Sequence, residues 1–193
     1  MRDMRVCFSG HRKVEGRYPP SLKWKEIFST VVGICQHLAN TWGAVEFISG
    51  GALGFDTVAA QAVIWMKNHG YRGRVTLTMA LPFPGYNKVW PHGSIAEIES
   101  ICNYGADKVL YVTQQTAYDP RLLQIRNIWM KDNSDTAIIL WDGSKGGTSN
   151  FRYAHICDRR RIPHIWIKPA TMEVVWFAHD PNNQERLLST PFK

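Results

Sequence analysis

An apolar, strand-like stretch over residues 44–48 runs into Ser49-Gly50-Gly51-Ala52-Leu53-Gly54-Phe55-Asp56, and a helical pattern follows over residues 57–67. A strand that ends in closely spaced glycines and then opens a helix admits few folds. It also suits an anion: the glycines let backbone N–H groups approach it, and the helix N-terminus adds roughly half an elementary charge. The spacing is G-G-x-x-G, not the G-x-G-x-x-G of dinucleotide-binding folds. The plain alternative is a glycine turn that only lets strand and helix pack closely.

The rest of the chain supplies the context for that motif. Strand patterns fall at residues 4–9, 44–49, 74–81, 108–112, 135–140 and 163–167. Helical patterns fall between them at residues 21–42, 55–68, 95–104, 120–133 and 151–160, and Pro82-Phe83-Pro84-Gly85 forces a loop. Strands alternating with helices predict right-handed crossovers and a mainly parallel sheet. The expected fold is a single-domain α/β, Rossmann-like, three-layer structure over residues 1–168. Residues 169–193 form a C-terminal extension with an edge strand over 173–178 and a loose, polar tail.

Such sheets bind ligands beyond the carboxyl ends of their strands. That rim collects Ser9-Gly10-His11-Arg12, residues 49–56, residues 82–90, residues 113–118 and the second glycine loop Trp141-Asp142-Gly143-Ser144-Lys145-Gly146-Gly147-Thr148. Two glycine loops on one rim favour a phosphate site. The candidate ligand contacts are Gly10, His11, Arg12, Ser49, Gly50, Gly51, Gly54, Asp56, Arg126, Asp142, Gly146, Gly147 and Thr148. Phe83, Tyr86, Trp90, Tyr118 and Trp141 are candidates to stack on a base, against the alternative of core or rim packing. Asp56 reads either as a helix cap or as an acceptor for a ribose hydroxyl. His11 reads as a loop-orienting hydrogen-bond partner. Replacing Gly51 by a bulky residue is expected to abolish binding without unfolding the chain.

The balance of 23 Lys and Arg against 16 Asp and Glu gives a net charge of +7, which suits an anionic partner. Cys7, Cys35, Cys102 and Cys157 are scattered, and His155 with Cys157 lacks a partner pair, so neither a zinc site nor a disulfide framework is expected. Free thiols fit a cytoplasmic location. No membrane segment, metal or cofactor is expected. Arg159-Arg160-Arg161 ends a helix, where positive charge is favoured by the dipole, and reads as a solvated cap ahead of a nucleic-acid patch.

The blocks SGHR, SGGALGFDTVAA, RNIWMKDNSD and WDGSKGGTSN together resemble the SLOG superfamily, and most of all its YpsA-like branch, over residues 4–168. The resemblance implies a modified Rossmann-like fold with a nucleotide-type pocket. It also implies kinship with the transformation protein Smf/DprA and with LOG-type nucleoside monophosphate phosphoribohydrolases, and self-association into a homo-oligomer. Arg126-Asn127-Ile128-Trp129-Met130, Ser134-Asp135 and Gly146-Gly147-Thr148 resemble elements of the LOG-type site. Those enzymes place a glutamate shortly after the threonine. Here Ser149, Asn150 and Phe151 follow, with no carboxylate before Asp158. Hydrolysis of an N-glycosidic bond needs such a group, and Asp56 or Glu97 could replace it through space. The expected role is therefore non-enzymatic binding of a nucleotide-derived, phosphate-containing small molecule, by sensing or sequestration. An N-glycosidic phosphoribohydrolase or other nucleotide hydrolase is the first alternative, and binding of single-stranded nucleic acid the second.

Overall fold

The computed structural model describes residues 3–156, 163–179 and 185–188. In chain order its elements are β1 (Met4–Gly10), α1 (Leu22–His37), β2 (Ala44–Ser49), α2 (Phe55–Met66), β3 (Thr76–Leu81), α3 (His92–Ser100), β4 (Lys108–Tyr111), α4 (Pro120–Asp132), β5 (Thr136–Leu140), α5 (Gly147–Ile156), β6 (His164–Ile167), β7 (Val174–His179) and β8 (Glu185–Leu188). One π-helical turn prolongs each of α1, α2 and α3.

Local chemistry explains where these elements start. The Ser21 hydroxyl accepts the Trp24 N–H at 3.4 Å and opens α1. Trp24, Ile27, Val31, Ile34 and Cys35 then recur at helical spacing and are buried. Asp119 caps α4 by accepting the Arg121 N–H at 2.8 Å, and Pro120 holds the first helical position, where its missing N–H costs nothing.

The strands form one eight-stranded sheet in the order β4-β3-β2-β1-β5-β6-β7-β8. Pairing is parallel from β4 through β6 and antiparallel for β6–β7 and β7–β8. The consecutive residues Val6, Cys7 and Phe8 of β1 are all buried, as a central strand covered on both faces requires. α1 and α2 pack together over the larger core cluster, which includes Val6 and Phe8. α4 and α5 pack together on the opposite face, over Cys7, Ile48, Ala80, Ala137 and Ile139. The chain steps outward from β1 to β4, crosses back to β5 and steps the other way. The strand order therefore reverses between β1 and β5, and a crevice opens there at the carboxyl ends.

Two expectations change. The fifth helix begins at Gly147, not at residue 151, because Gly146 anchors its first turn. The Gly146 carbonyl accepts the Asn150 N–H at 3.0 Å, and the Ser149 hydroxyl exchanges hydrogen bonds with the Gly146 N–H and carbonyl. Low helix propensity in Gly-Gly-Thr-Ser-Asn hid this start. The strand expected at the edge is β7, and β8 pairs outside it, so β7 lies within the sheet. Cys157, Asp158, Arg159–Arg161 and residues 180–184 and 189–193 of the tail lie outside the described residues.

Candidate functional site

The loop after β2 is shaped mainly by its contacts with the protein. The buried Ser49 hydroxyl donates to the Asp56 carbonyl at 2.8 Å and accepts the Gly51 N–H at 3.3 Å, which folds the loop back on the start of α2. Gly54 has φ +86, and a β-carbon there would lie 2.5 Å from the Arg12 Cα. Gly10 faces the Phe55 ring in the same way. These two glycines let the loop after β1 rest on the helix, where the Phe55 N–H donates to the His11 carbonyl at 3.1 Å. Gly51 abuts Leu81, and its carbonyl accepts the Tyr86 hydroxyl at 2.9 Å. Gly50 leaves the space occupied by the guanidinium of Arg126.

Arg126 comes from α4, on the far side of the crevice, and is only 7% exposed. Its Nη1 donates to the Gly50 carbonyl and lies 3.4 Å from Asp56 Oδ2. Asp56, 4% exposed in the first turn of α2, also accepts the Ala52 N–H at 3.4 Å. Burial pushes the Asp56 carboxyl above its ordinary range, against the pull of Arg126, the Ala52 N–H and Arg12. Burial likewise lowers the Arg126 pKa, against the pull of Asp56, yet a guanidinium remains charged in proteins. Arg126 Nε is buried without a hydrogen-bond partner. Leaving a buried donor unmade costs about 1–3 kcal/mol, more when charged, so this atom marks an unfilled demand.

Two cavities of about 300 Å³ each meet at Arg12, Ala52, Leu123 and Arg126. One is rich in aromatic rings, with Tyr18, Leu53, Pro82, Tyr86, Trp90 and Tyr118 in its wall. The other is polar, with Ser9, His11, Gln124, Asn127, Gly147 and Thr148 in its wall. Arg12 makes no hydrogen bond or ion pair with another described residue.

The predicted site residues divide accordingly. Gly10, His11, Arg12, Asp56, Arg126, Gly147 and Thr148 line the polar lobe, and Gly50 lines the aromatic one. Ser49, Gly51, Gly54, Asp142 and Gly146 line neither lobe. Asp142 instead holds the loop after β5 to the loop after β1. Its Oδ1 lies 2.8 Å from His11 Nε2, and its N–H lies 3.0 Å from the same nitrogen. That nitrogen accepts the N–H when bare and donates to the carboxylate when protonated. Ser144, and then His11, hold the Asp142 carboxyl below its usual range.

Of the stacking candidates, Tyr86, Trp90 and Tyr118 line the aromatic lobe. Phe83 is 1% exposed in the core and supports Tyr118 and Tyr86 edge-on from behind. Trp141 packs at a tilt of 40° against Trp166 and lies beneath the Arg152 guanidinium, and it lines neither lobe. Glu97 accepts a 2.7 Å hydrogen bond from Gln61 outside the cleft, so Asp56 is the carboxylate that lines it among the described residues. Among those residues no group of three or more His, Cys, Asp or Glu could hold a metal ion, and no helix is long and apolar enough to cross a membrane.

Sequence reasoning missed Gln124 and Asn127. Leu123, Arg126 and Asn127 share one helix face by their spacing, so the Arg126 motif could have pointed to Asn127. Tyr18 lies in an irregular loop and carried no such signal.

The model of the YspA SLOG family matches residues 24–173. The uncharacterized SPbeta prophage-derived protein YoqJ of Bacillus subtilis is 30% identical over 143 residues, which span 68% of this chain and 80% of that protein. A UPF0398 protein of Halalkalibacterium halodurans is 26% identical over 142 residues, spanning 72% of each chain. A UPF0398 protein of Leuconostoc citreum is 25% identical over 162 residues, spanning 81% of this chain and 82% of that one. Among solved structures, DNA processing protein A from Helicobacter pylori, described for its single-stranded DNA binding mode, superposes with a TM-score of 0.57 at 20% identity. The match covers 84% of this chain and 64% of that one, and at this identity it shows a shared fold.

Proposed function

We propose, from the premise that the chain belongs to the YspA SLOG family, that it binds a phosphate-bearing nucleotide derivative in the two-lobed cleft and acts by sensing or sequestering it. The observation that carries this reading is Arg126: nine-tenths buried, with Nε lacking a partner, at the junction of the two cavities. Arg12 adds a second guanidinium there, and the single carboxylate of Asp56 offsets only one of the two charges. A cleft left with one excess positive charge and a forked donor suits a phosphate. Tyr86, Trp90 and Tyr118 offer ring faces and edges for a base, and the start of α5 at Gly147 and Thr148 adds the positive end of a helix dipole.

Binding is favoured over hydrolysis because the one carboxylate lining the cleft among the described residues, Asp56, is already paired through Oδ2 with Arg126 and the Ala52 N–H. The test is a panel of nucleoside monophosphates, ADP-ribose, cyclic ADP-ribose isomers and cyclic dinucleotides, each mixed with stoichiometric protein and filtered. The expected result is one compound depleted from the filtrate and recovered intact after denaturation. Arg126→Ala should abolish the depletion, and Arg126→Lys, which keeps the charge but loses the fork, should weaken affinity roughly tenfold or more. Recovery as free base plus sugar phosphate would establish an enzyme instead. No depletion of any compound would overturn the reading.

The second reading is binding of single-stranded nucleic acid. It is favoured by the net charge of +7 and by the DNA-binding structural neighbour.

A further inference from the structure

The two lobes differ in chemistry, and the difference describes the ligand more closely than a phosphate site alone. Each cavity of about 300 Å³ sits at the floor of the ordinary ~300–1,000 Å³ range for a ligand pocket, whereas the joined cleft falls inside it. A mononucleotide placed with its phosphate on the two arginines and its base among Tyr86, Trp90 and Tyr118 leaves the polar lobe empty. That lobe has unspent hydrogen-bonding capacity. The side chains of Gln124, Asn127 and Thr148 line it and make no hydrogen bond with other described residues. Amides and a hydroxyl both donate and accept, as sugar hydroxyls do. Among the described residues His11 is the one aromatic ring in its wall, against four in the aromatic lobe, so a second base finds far less to stack on there. Asp56 also lines this lobe, where its carboxylate would accept from a hydroxyl and repel a further phosphate.

We infer that the ligand is a two-part molecule, a nucleoside joined through a phosphate or pyrophosphate bridge to a second sugar. The bridge lies on Arg12 and Arg126, the base in the aromatic lobe and the second sugar in the polar lobe. This inference rests on the nucleotide-binding reading above and adds the second sugar to it.

Calorimetric titration of the full chain with AMP, ADP-ribose and diadenosine diphosphate tests it. ADP-ribose should bind at least about tenfold more tightly than AMP, since several hydrogen bonds are added. Diadenosine diphosphate should gain less, its second base having only the His11 ring to stack on. Asn127→Ala should weaken ADP-ribose roughly fivefold more than AMP, and so should Gln124→Ala, an exposed helix position that serves if the first variant folds poorly. Trp90→Ala should weaken both ligands alike. Equal affinity for AMP and ADP-ribose, or equal loss for both in the polar-lobe variants, would overturn the second sugar while leaving the nucleotide site standing. Diadenosine diphosphate binding as tightly as ADP-ribose would overturn it too. Failure of all three compounds to bind would remove the nucleotide site and this inference with it.

Discussion

Asp56 serves two structural ends at once. Its carboxylate lies in the first turn of α2, where negative charge is favoured, and beside Arg126, whose charge would otherwise be buried alone. Burial nevertheless dominates and lifts the folded carboxyl above 3.8. The folded protein therefore holds this proton more tightly than the unfolded chain does. The stability this group contributes is fully present below the unfolded value and is lost as pH rises through the folded one. Asp56→Asn removes that slope. Urea denaturation from about pH 4 to about pH 7 should show the variant gaining stability relative to the parent as pH rises. A constant difference across that window would contradict it. From sequence Asp56 read as a cap or a ribose acceptor. Its pairing with Arg126 was not legible, because the two side chains are separated by 70 positions and meet only when α2 and α4 close on the crevice.

At the scale of elements, the turn from β2 into α2 is where the glycine pattern needs reinterpretation. The motif correctly marked a strand-to-helix turn, but Gly54 serves the close approach of the β1 loop. Gly54→Ala forces a side chain into a left-handed conformation and into the Arg12 backbone. It should destabilise the fold by about 2 kcal/mol or more, read as a lower denaturation midpoint. A midpoint unchanged from the parent would show that the loop can move aside. The same reasoning revises the expectation for Gly51. At φ +65, with Leu81 2.6 Å from its β-carbon position, a bulky replacement should cost stability as well as binding, so it cannot isolate the ligand contact. Element types and order were legible because helical and alternating patterns are local. The start of α5 was not, because the bonds that begin it involve residues of poor helix propensity.

Over the whole molecule, the question is whether the net charge of +7 reflects a nucleic-acid surface or a single anionic pocket. With Asp56 offsetting one of the two cleft arginines, the cleft would neutralise about one phosphate. Binding of single-stranded DNA confined to the cleft should then vary with salt with a log–log slope of about −0.7. Fluorescence anisotropy of a labelled oligonucleotide across a salt series measures it. A slope near −4 or steeper would assign the excess charge to an extended track and favour the nucleic-acid reading.

By itself the sequence determined the order of strands and helices as far as β7, the mainly parallel sheet and the rim on which the glycine loops meet; β8 falls where the sequence reads as a loose tail. Periodicity, caps and turn residues act over a few positions and need no distant partner. The family resemblance, carried by four short blocks, was legible for the same reason. Only the tertiary structure decided which rim side chains face the cleft. Phe83 and Trp90 lie seven positions apart on one loop, yet Phe83 is buried in the core and Trp90 lines the aromatic lobe. The motif singled out Arg126, but only the placing of α4 set it against Gly50 and Asp56 with one donor unpaired. Burial and pairing depend on what distant elements bring to the same place, and no local pattern records that.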